Sequence, residues 1–98
     1  MMGRRTSLMV AYDILQVARG GSSKTPLVYR CNLNFKLIKT WLSRLIAKGL
    51  LEPSSTSRTW TTTTKGLSFI LAMDAVISIW DYGGQPPEGI ELELISHA

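Results

Sequence analysis

The sequence predicts a mostly helical α+β domain: three helices and a two-stranded hairpin, followed by one long and strongly apolar helix. Three observations predict it. Four helical segments are marked, three by apolar residues at helical spacing and one by its Thr-Pro start, with Gly, Asn, Thr or Pro at their ends. Between the third and fourth segments, two short runs of strand-favouring residues flank a polar, turn-prone loop. The charge is also segregated. All eleven Lys and Arg residues lie between Arg4 and Lys65, beside only two acids, Asp13 and Glu52, whereas residues 67–98 hold five acids and no base. The net charge of +4 therefore conceals a strongly basic domain and an acidic end. A basic surface on a small folded domain suits a polyanion.

The first helix is expected over residues 7–19. Val10, Ala11, Ile14, Val17 and Ala18 share one side, Asp13 and Gln16 the other, and Gly20-Gly21-Ser22-Ser23 ends it. Thr25-Pro26 reads as a helix start, with Thr as the cap and Pro in the first position. That helix runs to about Cys31, and Asn32-Leu33 forms a tight turn. Asn34 caps a third helix that continues to Lys48 and stops at Gly49. Its broad apolar side is Leu37, Ile38, Trp41, Leu42 and Leu45. Lys36, Lys39, Thr40, Ser43 and Ala47 share a narrow opposite arc, with Arg44 and Lys48 on its flank. Leu50-Leu51-Glu52 and Thr59 to Thr62 suit strands, joined through the turn-prone Pro53 to Arg58. Thr63 caps a last helix from Thr64 to about Tyr82.

Two helices joined by so short a turn suggest a helix-turn-helix, and a hairpin after its second helix is a wing. The last helix is apolar around roughly 200° of its circumference, twice the width of about 100° that a monomer's surface helix buries. Only Asp74, Ser78 and Asp81 form a polar stripe. A second copy of the same helix is the expected cover, because two-fold dimers are the commonest oligomers. Phe69, Met73, Val76, Ile77 and Trp80 are the expected interface. The acidic tail, residues 83–98, opens with turn-forming Gly and Pro, and Ile90-Glu91-Leu92-Glu93-Leu94 alternates as a half-buried strand does. The expected organisation is a winged domain over 4–66, a dimerisation helix over 64–82 and the tail.

Several classes are disfavoured. A single cysteine, Cys31, forms no internal disulfide and fits a reducing compartment. No segment reads as a signal peptide or a membrane span. The expected location is therefore cytoplasmic, associated with the nucleoid, with no membrane partner. The basic domain has no histidine, and no glycine-rich phosphate loop or paired-carboxylate arrangement appears, so an enzyme is not expected. Cys31 with His97 makes no metal set, and no cofactor is expected.

The chain resembles the small archaeal winged helix-turn-helix DNA-binding proteins that dimerise through an antiparallel C-terminal helix. The resemblance covers about residues 4–82. It lies in Lys24-Thr25, in Tyr29-Arg30-Cys31-Asn32-Leu33-Asn34-Phe35 across the turn, in Leu42 through Leu45 to Gly49-Leu50-Leu51, and in Thr63-Thr64-Lys65-Gly66. It implies a winged fold, a homodimer, and binding to double-stranded DNA as a regulator or chromatin protein. Some relatives have a longer terminal coiled coil, whereas here the helix stops near Gly83.

The candidate DNA contacts follow from this frame. Lys36, Lys39, Thr40 and Ser43 would face the major groove, where lysines reach guanine edges or phosphates; taken alone they read equally well as a solvated helix face. Without Arg or Gln on the arc, phosphate-led binding is favoured over tight base readout. Lys24 and Thr25 at the start of the second helix, and Arg30 and Asn34 at the turn, are expected near phosphates. Arg58 ends the wing loop, where an arginine suits the backbone or the minor groove. Arg4 and Arg5 are candidates for a basic arm, or serve solubility alone. Trp41 and Trp60 are expected to pack rather than to stack on bases. Cys31 is expected to be buried rather than redox-active. The rival assignment is a winged-helix protein-interaction module that uses the apolar last helix. A third is a DNA-binding sensor whose ligand sits in the dimer interface.

Overall fold

The computed structural model describes residues 5–80. Six elements follow in order: α1 (Ser7–Val17), α2 (Lys24–Arg30), α3 (Phe35–Ala47), β1 (Leu51–Pro53), β2 (Trp60–Thr62) and α4 (Thr64–Trp80). Arg4, Asp81, Tyr82 and the tail, including the strand expected at Ile90–Leu94, lie outside the described residues.

Three of the four described helices begin where a side chain accepts from a first-turn amide; α2, with Ser23 before it, has no such side-chain cap. The Thr6 hydroxyl accepts from the Met9 amide at 3.2 Å, the Asn34 side-chain oxygen from Leu37 N–H at 2.7 Å, and the Thr63 hydroxyl from Gly66 N–H at 3.0 Å. These are N-caps that satisfy otherwise unpaired first-turn donors. The second helix departs from expectation. It starts at Lys24 with Ser23 in the capping position, so Thr25 lies inside the helix and is not its cap. Pro26 is accommodated there because a first-turn residue has no intrahelical N–H bond to lose.

The turn between α2 and α3 is set by Asn32, whose φ of 56° is left-handed, a conformation Asn tolerates better than most residues. It lets Leu33 N–H reach the Val28 carbonyl at 2.9 Å. Gly49 ends α3 with φ 76°, and the Leu50 amide returns to the Leu45 carbonyl at 3.0 Å, as a glycine-terminated helix end does.

The core joins all these elements. Ile14 and Leu15 of α1, Leu27 and Val28 of α2, and Ile38, Leu42 and Leu45 of α3 are buried together with Cys31, Leu50, Leu51 and Ile70. Burying each large aliphatic side chain contributes about 1.5–3 kcal/mol. Leu37, expected on the core side, is 46% exposed instead. It lies about 100° around α3 from Ile38, at the rim of the buried face and on the same flank as the exposed Arg44 and Lys48.

The wing is a short antiparallel pair with Leu51 opposite Thr62 and Pro53 opposite Trp60. It is tied to the helices in two places. Ser22 and Trp60 exchange backbone hydrogen bonds of 2.9 Å in both directions. The buried Thr62 hydroxyl donates to the Leu15 carbonyl at 2.7 Å, and Thr62 N–H donates to Ala18. The α4 helix leaves the wing at Gly66, packs against α1 through Ile70, and is linked to it by the Tyr12 hydroxyl donating to Asp74. That bond to a carboxylate raises the Tyr12 phenol above its ordinary value.

Candidate nucleic-acid interface

The α3 helix presents one face to solvent. Lys36, Lys39, Thr40 and Ser43 are all exposed, while Ile38, Leu42 and Leu45 are buried behind them. The one ion pair among the described residues joins Arg5 to Asp13 in α1 at 2.6 Å. The lysines of α3 are therefore not neutralised by an acid among those residues. Asn34, at the start of the helix, commits its side-chain oxygen to the cap, which leaves its NH2 group to donate outward.

Arg30 is exposed in the last turn of α2. Around the turn, Tyr29 and Phe35 pack edge to face with ring centroids 6.5 Å apart, although they are 72% and 48% exposed. Sequence reasoning misses this aromatic pair as a surface feature; two aromatics straddling the turn are its only trace in the sequence. Arg44 lies over the Trp41 ring at 4.4 Å from its centroid, a cation–π arrangement that holds the guanidinium beside the α3 arc.

The start of α2 and the wing enclose a cleft of about 570 Å³ lined by Ser23, Lys24, Pro53, Ser54, Ser57, Arg58, Thr59 and Trp60. It brings together two residues far apart in sequence, Lys24 and Arg58. The Lys24 ammonium stands 6.0 Å from the centre of the half-buried Trp60 ring. Arg58 extends from a wing loop that hydrogen-bonds to itself. The Ser54 hydroxyl accepts from the amides of Thr56 and Ser57, each at 3.1 Å, and Ser54 N–H closes the loop on the Thr59 carbonyl. Thr25 is exposed on the first turn of α2. The expected residues thus fall into two groups: the α3 arc with the turn, and the α2–wing cleft. The Ser22–Trp60 bridge fixes the wing against the segment leading into α2.

Two other residues take definite places. Arg5 is not a free arm: it pairs with Asp13, and its guanidinium also donates to the Cys31 carbonyl at 2.6 Å, at the end of α2. Cys31 is buried, and burial pushes its thiol up to about 11, so it stays protonated and unreactive at neutral pH. Among the described residues no cluster of three or more His, Cys, Asp or Glu side chains could hold a metal ion, and no helix is long and apolar enough to cross a membrane.

The residues of α4 lie apart from both groups. Phe69 leans on the chain's own core, Met73 and Ile77 are half-buried, and Val76 and Trp80 are exposed. Leu71, 69% exposed, extends the outward apolar surface, as does Ile79.

A helix-turn-helix with an exposed second helix, a hairpin tied beside it and a long final helix is a distinctive arrangement, and residues 4–80 match a family model described as winged helix-turn-helix. The chain belongs to that winged helix-turn-helix family. Among solved structures, this winged helix is similar to Sso10a-2, a DNA-binding protein from Sulfolobus solfataricus. The TM-score is 0.67 and the identity 20%, over 80% of this chain and 84% of that one. At that identity the likeness concerns the fold. A comparison with curated proteins gave no match.

Proposed function

We propose that the protein binds double-stranded DNA as a homodimer, with α3 in the major groove, and acts in transcriptional regulation or chromatin organisation. One observation carries this reading: the exposed α3 arc holds Lys36 and Lys39 with no neighbouring acid, on a domain whose described bases far outnumber its acids. Thr40 and Ser43 offer hydroxyls to base edges or phosphates. Lys24, Thr25, Arg30 and Asn34 would hold the backbone on one side of the groove, and Arg58 would carry the wing to the phosphates or the minor groove. The similarity to a DNA-binding protein supports the same reading.

The homodimer rests on α4. Its exposed Leu71, Val76, Ile79 and Trp80 form an apolar surface that costs free energy in water and that a copy of itself would cover. The same surface is what a docking module would use, and the α3 arc separates the two readings, because protein docking through α4 gives no role to its lysines.

The test is fluorescence anisotropy with a labelled duplex, comparing wild type with Lys36→Ala/Lys39→Ala. Removal of the two lysines is expected to weaken binding at least tenfold in dilute salt and to flatten the salt dependence. Equal affinity for the two proteins would exclude α3 as the DNA-facing element.

A further inference from the structure

A second cleft lies where α1, α3 and the first half of α4 meet. Its volume is about 240 Å³, and its walls include Leu8, Trp41, Leu45 and Phe69, with Arg44 and Lys48 also lining it. Leu8 is 58% exposed, so an apolar hollow stands open to water with two cations, one turn apart, along its α3 wall. We propose that this cleft is the docking site for the chain's own residues 90–94.

Three features select that occupant. The segment Ile90-Glu91-Leu92-Glu93-Leu94 alternates apolar and acidic residues, so an extended chain would lay Ile90, Leu92 and Leu94 on the apolar floor and keep its acids at the open rim, within reach of the long Arg44 and Lys48 side chains along one wall. Neither Arg44 nor Lys48 is paired with an acid among the described residues, whereas the tail carries acids and no base. The reach is also sufficient. Phe69 and Trp80 are both on α4, so their separation along its axis is about 16 Å at 1.5 Å per residue. The linker 81–89 spans up to about 30 Å when extended, and it contains Gly83-Gly84 and Pro86-Pro87, residues that suit a reversal of direction. Docking would place Glu91 and Glu93 against cations flanking the α3 arc, so that the tail and a polyanion compete for them. The docking itself does not depend on the DNA-binding reading.

The test uses the full chain with a nitroxide on Ser96→Cys; the buried Cys31 is not labelled in the native state. Nuclear magnetic resonance should show several-fold loss of intensity at Leu8, Ala11 and the Trp41 indole, with the wing residue Thr56 unaffected. Leu92→Ser/Leu94→Ser, which changes no charge, should restore those signals while the rest of the spectrum stays dispersed. Broadening that is absent, or centred on the wing or on Lys36 and Lys39, overturns the proposal. So does equal broadening when the label sits on a separate, isotope-silent copy, since the occupant would then belong to another chain.

Discussion

Gly66 has the least room of the described glycines, and replacing it by alanine is a stringent test of how the wing meets α4. A Cβ placed there meets the Leu50 carbonyl oxygen at 2.3 Å and the Thr62 Cγ2 at 2.5 Å. Neither can yield easily. The Leu50 oxygen accepts from Thr63 N–H at 3.1 Å, and Thr62 is buried with its hydroxyl committed to Leu15. Relief therefore requires moving α4 away from the wing. Overpacking of this kind costs about 1–3 kcal/mol, and loss of the Thr63–Leu50 hydrogen bond adds about 1 kcal/mol. Against this, alanine is favoured over glycine within a helix by up to about 1 kcal/mol. The expected net destabilisation is about 1–3 kcal/mol, or a fall in Tm of roughly 5–20 °C for a domain of this size. Thermal unfolding followed by circular dichroism, at matched protein concentration because self-association makes Tm concentration-dependent, measures the difference. Gly20→Ala is the control: a Cβ placed at Gly20 meets nothing within 4 Å, so its Tm should change little. A Gly66→Ala protein as stable as wild type, or more stable, would refute the close approach and leave helix propensity as the dominant effect.

Thr62→Val removes the hydroxyl that satisfies the Leu15 carbonyl and should cost about 1–3 kcal/mol in urea unfolding, since the buried acceptor loses its partner. Cys31, with its thiol pushed up to about 11, should resist a thiol reagent at pH 8 until the protein is denatured. Because that value lies above the ordinary 9.0, the folded state favours the protonated thiol. Its contribution to stability should be intact below pH 9 and decline as pH rises from 9 to 11, which unfolding midpoints across that range would reveal. If α4 pairs two copies as proposed, Leu71→Glu/Trp80→Glu on its exposed side should shift the light-scattering mass from dimer to monomer while leaving the helical circular dichroism of the winged domain in place.

Much of this architecture is legible in the sequence because its signals are local. Asn34 and Gly49 bound α3, Thr63 starts α4, and the polar run from Ser54 to Ser57 between strand-favouring residues marks the wing; each sits where the structure has it. The α3 arc is legible for the same reason, since helical periodicity alone puts Lys36, Lys39, Thr40 and Ser43 on one side. The start of α2 is harder to place: Thr25-Pro26 carries a strong initiation signal, yet proline is tolerated throughout a first turn, and the chain begins the helix at Lys24. Leu37 falls at the edge of a broad apolar arc and is exposed, because only the centre of that arc, Ile38, Leu42 and Leu45, is buried. The Ser22–Trp60 bridge and the meeting of Lys24 with Arg58 are invisible in the sequence, since both depend on tertiary contacts that leave no periodic trace. Arg5 reads as a free base for a similar reason: its partners, Asp13 and the Cys31 carbonyl, are brought to it by the packing of α1 on α2.

The most direct measurement is a salt titration of wild-type protein on a duplex, with the oligomeric state checked by light scattering. For the proposed homodimer with about six phosphate contacts, the logarithm of affinity should fall with the logarithm of salt at a slope of about −5, a loss of roughly a thousandfold between 50 and 200 mM. Absence of duplex binding at 50 mM, or an affinity indifferent to salt, would contradict DNA binding through the basic face of α3 and turn attention to protein partners for α4.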